Sequence, residues 1–334
     1  MPTIHIRKTW DLDRSAATPE ADFNGRRAFL AQVGLGGLGG LGAYGLITAC
    51  RPSVADDGDV DVEDELRQTL VPPPGSAFEP GKRVAAYTLD RPLTDELTAA
   101  RYNNFYEFGL NKERCWREAQ RLTVRPWTIE VSGLVDKPLT LGIDDIIRKM
   151  PVEERLYRFR CVERWSMAVP WHGFSFRAFM DWVKPLSSAK FVRFVSFLRR
   201  DQAVGQRGNS GYTWPYYEGL RIDEAANELC FVATGIYGHD LPRQHGAPFR
   251  MVLPWKYGYK GAKSIVKIEF VEKQPRTFWN DQNPREYGFL SNVDPNKPHP
   301  RWSQATETMI GTNAPRPTLP YNGYGEFVAE MYKG

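Results

Sequence analysis

From about residue 83 onward the chain switches repeatedly between short runs of period two and shorter runs of helical spacing. WTIEVSGLVDKPLTL (127–141) alternates apolar and polar positions and breaks at Gly133 and Asp136, which predicts a strand, a tight turn and a second strand. LGIDDIIRKM (141–150) has the spacing of a short amphipathic helix, entered after Thr140 and ended before Pro151. RLYRFRCV (155–162) alternates again, so Cys161 falls near a strand end, with Arg158 and Arg160 on the opposite face. FSFRAFMDWV reads as a short helix. KFVRFVSF reads as a strand with Phe191, Arg193, Val195 and Phe197 on one face. LCFVATGI, PFRMVLPW and SIVKIEFV complete the strand-like runs. Short helices interleaved irregularly with many strands predict an α+β fold of mixed sheets, not a regular βαβ array.

Upstream the pattern changes twice. Residues 1–50 include Arg26 and Arg27 followed by a charge-free run, Ala28 to Cys50, diluted by seven glycines. An arginine pair before a weakly apolar segment reads as a twin-arginine signal, which exports an already folded protein. A membrane anchor of that length would be richer in Leu, Ile and Val. Leu46–Cys50 has the form of a lipoprotein cleavage box with Cys50 as the lipid site; ordinary cleavage nearby is the equal alternative. Residues 51–80 are acidic and then proline-rich, the composition of a tether with some local order. Residues 81–334 are left as the catalytic domain.

Composition narrows the chemistry. Forty-four basic and forty acidic residues give a net charge of +4, too mild to argue for nucleic acid. Four cysteines at 50, 115, 161 and 230 form no close CxxC pair, against zinc-ribbon, thioredoxin and iron–sulfur readings. No HExxH motif is present, and no GxGxxG opens a helix after a strand. Cys161 stands out, because Arg158, Arg160 and Arg164 lie within three residues of it and positive charge favours a thiolate. A thiolate is a nucleophile or a metal ligand. NNFYEF (103–108) is either a polar strand edge or a cofactor wall offering Asn103, Tyr106 and Glu107. HGAPFRMVLPWKYGYKGAKSI (245–265) holds His245, Arg250, Lys256, Lys260 and Lys263 among glycines, a set suited to a phosphate or to a solvated loop. Cys230 reads as a core thiol and Cys115 as a more exposed one; a disulfide between them is open.

NNFYEFG, RFRCVERWSMAVPWHGF, QHGAPFR, PWKYGYKGAKSI, PRWSQATE and NGYGEFVAEMYKG together resemble the catalytic subunits of molybdenum-dependent protein-methionine-sulfoxide reductases, of the sulfite-oxidase fold superfamily. The resemblance covers roughly residues 75–334 and the leader. It implies one mononuclear molybdenum on one molybdopterin, with Cys161 as the metal's thiolate ligand. It implies cofactor contacts at Asn103, Tyr106, Glu107, Ser196, Arg250, Gly261, Ala262 and Lys263. His245 stands where some relatives have asparagine, and Ser196 where a threonine can occur. It further implies a periplasmic enzyme that reduces methionine sulfoxide in oxidised proteins, with electrons from a haem-containing membrane subunit linked to quinol. Three other readings compete: sulfite oxidation on the same fold, an exported anion-binding protein, and a cysteine hydrolase using His172 or His245 as base.

Overall fold

The computed structural model describes residues 59–78, 80–208 and 211–333. The leader, Arg26–Arg27 and Cys50 lie outside the described residues. Asp57–Gly334 forms one compact unit. Its strands are β1 (Lys82–Arg83), β2 (Thr128–Gly133), β3 (Leu139–Gly142), β4 (Glu153–Arg160), β5 (Trp165–Ser175), β6 (Phe191–Ser196), β7 (Tyr217–Arg221), β8 (Phe231–Ile236), β9 (His239–Asp240), β10 (Arg250–Val252), β11 (Ile265–Val271), β12 (Thr306–Met309) and β13 (Pro315–Pro317).

Two mixed sheets result. One runs β3-β2-β11-β6-β7, with β2 and β11 parallel and the other pairs antiparallel. The other runs β1-β4-β5-β12-β13, with β8 also on β5 and carrying β9 and β10. The α+β expectation of mixed sheets with short interleaved helices holds. The helix Phe176–Val183 links the sheets. Ser175 caps it by accepting from the Ala178 N–H. Phe176 then meets Phe194 of β6 at 5.3 Å, and Phe179 meets Phe249, beside β10, at 6.2 Å. All four rings are fully buried, each contributing about 1.5–3 kcal/mol.

The longest strand, β5, has no alternation to betray it. Nearly all of WSMAVPWHGFS is buried, because both faces are covered: His172 meets Phe78 on one, Trp171 meets His245 and Arg250 on the other. Pro170 inside it also argues against a central strand from sequence. Two upstream segments also carry short helices. RPLTDELTAAR, which reads as turns, contains the helix Glu96–Arg101 capped by Asp95. The stretch 51–80 contains the helix Asp59–Gln68, whose Leu66 is buried with Ala100 and Trp116.

Candidate cofactor site

β4 and β5 are antiparallel neighbours in register Arg160 to Ser166, so Cys161 begins the tight turn that joins them. The Cys161 N–H donates to Trp165 O at 2.9 Å, and the Arg164 N–H to Cys161 O at 3.0 Å. Closing so few residues forces Arg164 into the left-handed region, φ +74°. The turn puts Cys161 on the wall of a cleft.

Asn103, Asn104, Tyr106 and Glu107 form a second wall, and Arg250, Gly258, Gly261 and Lys263 a third. FYEF is neither strand nor strand edge: Tyr106–Phe108 is a 3-10 turn. Seven of the residues picked from sequence therefore meet in one cleft: Asn103, Tyr106, Glu107, Cys161, Arg250, Gly261 and Lys263. Three stand behind it. Ser196 Oγ donates to Lys263 O at 2.7 Å, Ala262 O accepts from the Met251 N–H at 2.9 Å, and His245 O accepts from Arg250 Nη1 at 2.8 Å. Sequence reasoning missed Asn104 and Glu163. Asn104 Nδ2 lies 3.7 Å from Cys161 Sγ and donates to Glu163 Oε2 at 2.6 Å. Glu163 Oε2 is 3.9 Å from Sγ and 3.2 Å from Lys112 Nζ. Its place two residues past Cys161 was the available signal.

The arginines do not serve the sulfur. Arg158 lies over the Tyr324 ring, 3.9 Å from Asp90. Arg160 is wholly buried and donates to Gln304 Oε1 at 2.7 Å, and Arg164 donates to Thr306 O at 3.2 Å. The expected cationic activation of Cys161 is thus overturned. Burial, then the Glu163 carboxylate, push its thiol up to about 12. Without a metal it is a poor nucleophile; a coordinating metal would remove the proton outright. The hydrolase reading loses its base as well. His172 Nε2 is 3.1 Å from Glu154 Oε2, and the His245 ring nitrogens, held neutral by burial that lowers the ring to about 3, touch no polar partner.

The basic loop divides in two. Lys256 Nζ is 2.5 Å from Glu224 Oε1, and Lys260 Nζ is 2.6 Å from Glu218 Oε2, all four side chains buried. Those cations are neutralised internally, and neither is a solvated loop residue. Arg250 is different. It is 2% exposed, its Nη2 has no partner, and it makes no ion pair among the described residues. Burial alone pulls it down to about 9. Lys263 donates only to Asn104 O, at 2.6 Å, and is held down to about 8 by burial and by Arg250. Burial raises the Glu107 carboxyl to about 7 against the attraction of Lys263. A Cβ at Gly261 would stand 2.6 Å from Met251 O and 3.5 Å from Arg250 Nη2, so glycine keeps that donor open. An open guanidinium donor, a second cation and a buried thiol in one cleft fit a phosphate-bearing, metal-carrying cofactor.

Cys115 and Cys230 are separate, buried free thiols; Cys115 is not exposed, and donates to Asn103 O at 3.1 Å. Among the described residues no three His, Cys, Asp or Glu side chains are grouped to hold a metal by themselves, and no helix is long and apolar enough to cross a membrane.

Residues 117–279, just under half of the chain, match the oxidoreductase molybdopterin-binding domain family. The chain carries a molybdopterin-binding oxidoreductase domain. Among solved structures it is similar to the sulfane dehydrogenase SoxCD from Paracoccus pantotrophus, at 15% identity and a TM-score of 0.38, over 46% of this chain and 40% of that one. The likeness spans less than half the length of that protein and bears on neither substrate nor partner.

Proposed function

We propose that this protein is a molybdopterin-dependent oxygen-atom-transfer enzyme whose substrate is the sulfoxide of methionine residues in exported proteins. The observation that carries the cofactor is the cleft joining Cys161 to Lys263 and to Arg250, a buried cation that the fold leaves without a carboxylate. Cys161 would hold the metal. Arg250, Lys263, Asn103, Tyr106, Glu107 and Gly261 would line the pterin and phosphate, backed by Ser196, Ala262 and His245. Bound molybdenum supplies two-electron redox chemistry and oxygen exchange. Glu163 Oε2 stands beside the sulfur, 3.9 Å from Cys161 Sγ and paired with Lys112. The balance is sulfoxide plus two electrons and two protons, giving thioether and water.

The comparisons favour a sulfite-oxidase-type oxidoreductase in general over any one substrate. What supports the sulfoxide is charge. All three arginines around Cys161 turn away, and the ionisable pair at the mouth, Glu163 and Lys112, is self-compensating. Sulfite, a dianion, meets none of the three neighbouring arginines at the sulfur, and in this reading Arg250 and Lys263 are taken by the cofactor. A neutral sulfoxide and its thioether suit Tyr106, Trp165 and Trp279, which line the same cleft. The test loads the protein in a molybdopterin-producing host and assays both chemistries: viologen-driven reduction of a methionyl-sulfoxide protein, and sulfite oxidation. Turnover of sulfite alone would overturn the substrate; one equivalent of zinc or iron with no molybdenum would overturn the cofactor.

Three further elements rest on sequence: the twin-arginine leader, periplasmic location with the candidate lipid at Cys50, and electrons from a haem-containing membrane subunit. Replacing Arg26-Arg27 by Lys-Lys should leave loaded protein in the cytoplasm. Mass spectrometry of the mature N-terminus decides the lipid. Turnover with NADH alone, at the viologen rate, would exclude an external haem donor.

A further inference from the structure

PRWSQATE (300–307) lies beyond the matched span and lines no part of the cofactor cleft. It nonetheless grips the Cys161 turn. Val162 O accepts two hydrogen bonds from it, Trp302 Nε1 at 2.9 Å and Gln304 Nε2 at 2.8 Å. Gln304 is itself buried, and its Oε1 accepts from Arg160 Nη2 at 2.7 Å while Arg160 Nη1 reaches Cys161 O. Arg164 O accepts from the Thr308 N–H at 2.8 Å. Trp302 is held in place by His299, the rings stacked at 3.8 Å and 9°. The Arg301 N–H donates to His299 Nδ1 at 3.2 Å, so the ring proton sits on Nε2, 3.3 Å from Glu286 Oε2.

The Val162 carbonyl and the Glu163 N–H are opposite ends of one trans peptide unit. Glu163 N is 3.5 Å from Cys161 Sγ. Fixing the oxygen end with two donors fixes the direction of the N–H end. It also polarises the unit, which makes the N–H a stronger donor. We infer that Trp302 and Gln304 are positioning residues: they aim the Glu163 N–H at the Cys161 sulfur and so set how strongly that sulfur donates to the metal. The inference rests on Cys161 being the metal ligand. Partners of this kind behind a ligand tune the centre without touching it.

Two variants isolate the clamp. Trp302→Phe keeps a ring against His299 and loses the N–H. Gln304→Glu keeps an acceptor for Arg160 and loses the donor to Val162 O. Both are made in the full-length, molybdenum-loaded protein, singly and together. The measurements are molybdenum content, the metal's spin-resonance spectrum and reduction potential, and kcat against KM. We expect retained molybdenum, an altered spectrum, a potential shifted negative because the sulfur loses a hydrogen bond, and kcat down about tenfold in the double variant with KM little changed. An unchanged spectrum and potential in a loaded double variant would overturn the inference and leave the proposed function standing. If the double variant loses its cofactor, Trp302→Phe alone decides by the same readouts. A wild-type protein without molybdenum would sink both.

Discussion

Arg250→Met should make the cofactor-free protein more stable while abolishing cofactor retention. Methionine replaces most of the stem and removes the charge. A fall from the ordinary 12.5 to about 9 by burial corresponds to about 5 kcal/mol held against the folded state at pH 7, at about 1.4 kcal/mol per pKa unit. The sign follows from proton counting. Between about 9 and 12.5 the unfolded chain binds the proton that the folded one releases, so stability rises with pH there, and the whole penalty is present below 9. Against it stand two hydrogen bonds, to His245 O and Met251 O, at about 1 kcal/mol each, and the contact 4.9 Å over the Trp171 ring, about 1 kcal/mol. The net gain on substitution is about 2 kcal/mol.

The assay is urea unfolding of wild type and variant, both expressed in a host that makes no molybdopterin, beside metal and pterin content from a host that does. A midpoint raised without a change of slope, together with loss of cofactor, is the expected pair. A variant destabilised by several kcal/mol that still retains cofactor would refute the reasoning, because Arg250 would then be an ordinary structural arginine.

Cys161→Ser should abolish sulfoxide reduction and the metal's spin-resonance signal, since a hydroxyl is far less acidic and a harder donor than a thiolate, whereas Cys115→Ser and Cys230→Ser should keep substantial turnover; equal losses in all three would point to folding. His245→Asn should flatten the acid limb of stability. Its imidazole is lowered by burial from 6.5 to about 3, so its contribution is present above 6.5 and is lost as pH falls toward 3; parallel wild-type and variant curves over that window would contradict this. Lys260→Met should cost about 3–5 kcal/mol by stranding Glu218, without lowering cofactor content per folded molecule; lost cofactor in a stably folded variant would make Lys260 a phosphate ligand after all.

Where one face of an element meets core and the other meets water, the sequence pattern was readable. Strands β2, β4 and β6 and the helix Ile143–Lys149 each bury mainly one face, and each is predicted from that pattern. β5 is not, because both of its faces are covered, His172 by Phe78 on one and Trp171 by His245 and Arg250 on the other, which erases the alternation. The site was legible as residue types and illegible as directions. Arg158, Arg160 and Arg164 are close to Cys161 in the chain, yet their partners, Asp90, Gln304 and Thr306, lie some seventy to one hundred and forty residues away. Lys256 and Lys260 looked like phosphate ligands because Glu224 and Glu218, which neutralise them, come from an earlier segment.

That division of the basic loop makes an argument of its own. Four cations fall between residues 250 and 263; Arg250, Lys256 and Lys260 are buried and Lys263 half-buried, where an unpaired charge is costly. The fold supplies a buried carboxylate for each of two and none for Arg250. It had the means to neutralise cations in this loop and did not do so at Arg250, which faces the cleft. Cys161 shows the complementary feature, a thiol that burial and the Glu163 carboxylate keep protonated. A cation without its anion and a thiol without its metal share one cleft, and a single group bearing both a phosphate and a metal relieves both. Neither feature would have been kept for packing, since methionine in place of the first and alanine in place of the second would serve a core as well. The case for the cofactor therefore stands on the charge accounting of this chain as well as on the family it matches.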